Sequence, residues 1–93
     1  IDSADVDSGV AFSIIGKHDS GVLSDPADLT ACLAANDLDP ATSVLGSTQV
    51  RIDGRSGTLL VLAGPQPAQL IALAVGNDCS ATNPDVLTRR DIG

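Results

Sequence analysis

The chain has 93 residues, enough for one domain, and its 12 acidic and 5 basic residues give it a net charge of −7. That sign excludes a reader of the nucleic-acid backbone, which needs a basic stripe, and an anionic membrane surface would repel it. A hydrophobic content of 43% excludes an acidic disordered tail.

Every acidic residue is aspartate. The short carboxylate competes for local backbone amides, so the charge belongs in caps and turns. Residues 1–9 (IDSADVDSG) are polar and predict a linker or arm. The spacing of Asp2, Asp5 and Asp7 touches that of a calcium loop but lacks its glycine and bidentate glutamate, so the stretch is a solvated arm. The short apolar run 10–15 (VAFSII) predicts a strand. It contains Phe12, the only large ring available to a core otherwise built from Leu, Ile, Val and Ala. A turn follows at 16–21 (GKHDSG), where His18 is exposed and without a catalytic partner.

The main helix is marked by Asp25 as N-cap, Pro26 at the first helical position and Asp28 in the first turn. Leu29, Cys32 and Leu33 fall on one apolar stripe, and Asn36–Asp37 ends the helix before Leu38 and Pro40 lead out. After Val44, Leu45 and Gly46, residues 48–52 alternate as a half-buried strand. Asp53–Gly54 opens a hairpin turn over 53–57, and 58–63 (TLLVLA) returns as its second strand. The run 64–67 (GPQP) breaks the chain, and 69–75 (QLIALAV) predicts a third antiparallel strand. A turn at 76–78 leads to Cys79. Asn83, Pro84 and Asp85 open a final short helical turn or strand with Val86 and Leu87, and Arg89–Arg90 is a solvated end.

Together these elements predict a single α+β domain over residues 10–93. It has a small antiparallel sheet of three to four strands, with one main helix packed on one face. The strands 58–63 and 69–75 are apolar on both faces, and one helix covers one face. The other falls to the N-terminal strand and loops, to the C-terminal segment, or to a second copy in a homodimer. No apolar run approaches the ~20 residues of a membrane span. The chain starts at Ile1 without a methionine, which reads as a mature or excised fragment whose anchor, if any, lies upstream.

Cys32 and Cys79 are 47 positions apart and form no C-x-x-C pair, which argues against a redox dithiol. They fit one structural disulfide in an oxidising compartment, or else two buried free thiols in a cytosolic domain. A zinc site falls short, with one histidine and two scattered cysteines. Neither G-x-S-x-G, G-x-G-x-x-G nor a P-loop is present, and Asp37 and Asp39 lack the apolar surroundings of a tuned carboxylate pair. The expectation is a non-enzyme with no catalytic, cofactor-binding or metal residues.

The stretch ACLAANDLDPATSVLGSTQVRIDGRSGTLLVLAG, followed by ALAVGNDCSA, resembles the C-terminal extracytoplasmic domain of actinobacterial anti-sigma factors, of the mycobacterial anti-sigma-M type. The likeness covers residues 22–88. It is carried by Cys32-Leu33, Val44-Leu45-Gly46, Gly54-Arg55, the leucine-rich strand, and Asp78-Cys79-Ser80. It implies a membrane-tethered regulator whose cytoplasmic part sequesters an alternative sigma factor, with one membrane helix upstream and this domain outside. The outer domain would sense stress or shield the protein from regulated proteolysis, facing a protease or another extracytoplasmic protein. On this likeness Cys32 and Cys79 form the bridge, from helix to sheet, and residues 1–9 are a membrane-proximal linker, the tether from membrane to domain. A secreted or lipoprotein-like binding module with an unknown partner is the alternative. A small inhibitor would need a rigid loop, for which only 64–68 (GPQPA) offers itself, and that stretch reads as a strand connection.

Overall fold

Asp53 and Gly54 both take positive φ, 51° and 88°, as the two central residues of a type I′ turn must. Such a turn matches the twist of its flanking strands, and it sets Ile52 opposite Arg55. The computed structural model describes residues 8–19, 21–39, 42–64 and 69–92. In it this hairpin joins β1 (Val44–Ile52) to β2 (Arg55–Ala63). β3 (Leu70–Gly76) and β4 (Val86–Ile92) continue the sheet in sequence order, every neighbouring pair antiparallel. A bulge at Leu45 bends β1 and another at Leu87 bends β4.

β2 and β3 are buried on both faces, and they divide their side chains by size rather than polarity. Leu60, Leu62, Ile71, Leu73 and Val75 point to one side, with Leu23, Cys32, Leu33 and Cys79. Leu59, Val61, Ala72 and Ala74 point to the other, with Ala11, Ile14, Ile52 and Ile92. The bulky face receives α2 (Pro26–Ala35). Its Asp25 N-cap accepts a hydrogen bond from the Ala27 amide at 2.9 Å, and Pro26 opens it as expected. A 3-10 turn at Gly21–Leu23 adds Leu23 to the same cluster.

The alanine face receives α1 (Ser8–Ile14), where the sequence predicted a strand over 10–15. A run of six residues, five of them apolar, carries too little periodicity to separate the two. The tertiary setting selects the helix: Ala11 and Ile14 are buried on the sheet and Val10 is half-buried against it. α1 also takes in Ser8 and Gly9, which the sequence assigned to the arm; residues 1–7, including Asp2, Asp5 and Asp7, lie outside the described residues. Phe12 points outward, 60% exposed, so the one aromatic ring is not core. Space for α1 comes from Gly46, where a Cβ would collide with the carbonyl of Ile14.

Helical cover therefore lies on both faces instead of one. The need for a second copy to hide an apolar face falls away, because both faces are covered within the chain. The segment after α1 runs beside β1 as a short parallel pairing. Ser47 donates to the Lys17 carbonyl at 2.9 Å and Asp19 donates to the Ser47 carbonyl at 3.1 Å, with His18 exposed between them. β4 forms the other edge, extending the expected Val86–Leu87 strand through Arg89 and Arg90 to Ile92.

Candidate functional site

α2 ends in a Schellman motif built without glycine. Asp37 holds φ 59°, its amide bonds the Ala34 carbonyl at 3.1 Å, and the Leu38 amide bonds the Leu33 carbonyl at 3.0 Å. The cap residue Asn36 is thereby fixed with its side chain turned inward, 7% exposed. Its amide nitrogen donates to the Cys32 carbonyl at 2.9 Å and to the Pro84 carbonyl at 3.3 Å. The same nitrogen lies 3.7 Å from Sγ of Cys79 and 3.9 Å from Sγ of Cys32.

Those two sulfurs are bonded, with the Cα atoms 5.3 Å apart. The bridge joins the core face of α2 to the turn after β3, so the helix-to-sheet link read from the sequence is present. Cys32 is fully buried and Cys79 is 8% exposed, so the bond is screened from bulk reductant. From β4, Arg89 donates to the Asn36 carbonyl at 3.3 Å, a cation placed on the negative end of α2. Helix end, β3–β4 turn and edge strand meet at this one junction.

A second clasp closes the far end of the β3–β4 connection. Asp85 sits at φ 41°, and its amide bonds the side chain of Asn83 at 3.0 Å. Its carboxylate accepts from Arg55 at 2.7 Å and from the Asp78 amide at 3.1 Å. It lies so close over Gly76 that a Cβ there would strike it. The hairpin β1–β2 is thus tied to the turn that carries Cys79.

Beside the junction lies a cleft of about 460 Å³ between the end of α2 and the end of the sheet. Leu38, Ala63 and Ile71 line it with apolar surface, and Asp37, Asp39, Thr42, Ser43 and Arg89 with polar groups. Among the described residues no three histidine, cysteine or acidic side chains cluster as metal ligands would.

Cys32 and Cys79 come together as expected. The sequence reading missed Asn36 as more than a helix end and Arg89 as more than a solvated end. It also missed the pairing of Arg55 with Asp85. The usable signal was Asn83-Pro84-Asp85, a turn signature just after a cysteine; nothing local marked Arg89. The connection 65–68 lies outside the described residues.

A family model for the C-terminal extracellular domain of the anti-sigma factor RsmA matches residues 3–92. The chain belongs to that family. No curated protein and no solved structure matches it. As an RsmA C-terminal domain it is extracytoplasmic, which agrees with a buried disulfide joining its helix to its sheet. No helix among the described residues is long and apolar enough to cross a membrane.

Proposed function

We propose that this RsmA-type domain is the non-catalytic outer sensor and shield of a single-pass, membrane-tethered regulator, of the actinobacterial sigma-M type. The regulator's cytoplasmic part holds the sigma factor. The domain withholds the tethered chain from the protease that would free that factor. One observation carries this reading: the helix end, the β3–β4 turn and the edge strand are fastened at a single buried point, Cys32–Cys79 with Asn36. Proteases act on locally opened chain, and where opening is fast their rate follows the open population. Fastening three elements at one point lowers that population, and anything that loosens the junction raises it.

The experiment uses the full-length regulator in cells with a reporter for the sigma factor. Cys32→Ser combined with Cys79→Ser should yield a truncated regulator on an immunoblot and raise the reporter several-fold. An intact regulator and a baseline reporter, with the outer domain shown to be loosened, would overturn the shield reading.

A further inference from the structure

The two edges of the sheet differ. β1 is flanked by the segment after α1, through the bonds that Ser47 makes with Lys17 and Asp19. β4 is the other end of the strand order, and no described element lies beyond it. Every second residue of an edge strand turns its amide and carbonyl outward, a template for a further strand. This edge is also a basic stretch in an acidic domain. Two of the chain's five basic residues, Arg89 and Arg90, stand there side by side. Arg90 is the cross-strand partner of Ala72 and shares the alanine face, whereas Arg89 is the partner of Leu73 on the bulky face. Arg90 is exposed, and its side chain makes no hydrogen bond or ion pair among the described residues.

We infer that the outer edge of β4 holds, by charge, the chain's own acidic arm, residues 1–7, as an added strand. Three of the chain's twelve acids, Asp2, Asp5 and Asp7, lie in that stretch, and no base does. Position favours it as well. α1 ends with Ile14 over Gly46 of β1, and the same layer buries Ala72 and Ala74 of β3 completely. A helix so placed crosses the sheet and begins on the β4 side, where Ser8 receives the arm. Descent from the helix layer to the sheet, ~10 Å, uses about three residues, which leaves about four to pair. Side chains of an extended strand alternate, so Asp2 and Asp5 fall on opposite faces, as Arg89 and Arg90 do. The charges that deter a neutral or basic strand admit this one. The inference deepens the shield reading by naming the segment withheld, since chain already paired in a sheet is not open to a protease. It rests on that reading for its physiological meaning alone.

The test is NMR on the isotope-labelled 93-residue chain at low salt, where charge pairing is least screened. Cross-strand nuclear Overhauser effects between residues 1–5 and 87–91 are expected, unchanged on dilution. The outward amides of β4 should exchange at least about tenfold more slowly than those of free chain. Arg90→Glu, or Asp2→Lys with Asp5→Lys, should bring both signals down to the level of free chain. Amides of α2, on the opposite face, should keep their protection in these variants and so check the fold. The inference is overturned if the native chain shows no Overhauser effect between arm and β4. It is equally overturned if protection of the edge fades on dilution, which would place a second copy there, or if both charge reversals leave the pairing untouched. Pairing in the domain, together with an uncut full-length regulator carrying Arg90→Glu in cells, would uphold the arm's place and sink the shield reading instead.

Discussion

Asn36 shows how much one polar side chain can fix when it is buried among carbonyls. Its side-chain amide gives a second donor to the Cys32 carbonyl, which already accepts from the Asn36 main-chain amide at 3.2 Å, and supplies a donor to the Pro84 carbonyl from a chain segment 48 positions away. A buried acceptor left unmatched costs more than the bond was worth, ~1–3 kcal/mol. Asn36→Ala is expected to lose about that much in urea denaturation. Asn36→Asp should be worse still, since it removes both donors and sets a carboxylate against two carbonyl oxygens. A loss within error for both would mean that the Pro84 segment is held by other means. The sequence marks Asn36 only as a helix stop, because its long-range partner lies in a turn that no local pattern connects to α2. Cys32 was legible on the apolar stripe with Leu29 and Leu33. Its junction partners Asn36, Pro84 and Arg89 were not, since each is set by the return of the chain rather than by its neighbours.

Elements whose conformation is decided locally were read correctly. β1, β2 and α2 follow from alternation, from Asp53–Gly54, and from Asp25, Pro26 and the apolar stripe. The turn expected over 53–57 is shorter, however. It closes at Asp53–Gly54, and Arg55, Ser56 and Gly57 already pair with β1, because a two-residue turn with both φ positive lets the ladder resume at once. α1 is different. Its residues suit a strand, and a helix forms because the alanine face of β3 and the bare backbone at Gly46 leave a groove for one. The inner residues of β4 are equally hard to read, since Arg89, Arg90 and Asp91 are what an edge strand uses to discourage pairing with another chain. The groove can be tested directly. At Gly46 a new methyl group would meet main-chain atoms of Ile14 and Ile15, which cannot rotate away. Gly46→Ala should therefore cost ~1–3 kcal/mol, typical of overpacking. The damage should be lopsided. The Gly16 amide, bonded to the Leu45 carbonyl at 2.9 Å, should lose protection in hydrogen exchange, while amides of α2 on the opposite face keep theirs. Uniform loss across both faces would show that α1 is not a separate layer.

At the scale of the molecule, a core without aromatic side chains is enclosed by short helices, and the covalent link decides how tightly. α2 has ten residues and α1 seven, lengths at which an isolated helix is unstable in water, so both exist by packing. The bridge acts on the unfolded chain instead, closing a loop over a separation of 47 residues. In the chain-entropy description a loop of that size is worth about 4 kcal/mol, a large share of the ~5–10 kcal/mol typical of a domain this small. The exposed partner in the second clasp, Arg55, contributes at most ~1 kcal/mol because solvent screens it. The ranking is testable by calorimetry. The Cys32→Ser, Cys79→Ser chain should melt roughly 15–30 °C below the native chain, at about 4–8 °C per kcal/mol. Arg55→Ala should fall only a few degrees, and reductant should shift the native midpoint toward the double variant only once heating has opened the buried sulfurs. If the two variants melt together, the domain is held by its packed faces and the sulfur bond is incidental. If reductant acts fully on the cold protein, the junction opens without unfolding and its screening is lost in solution.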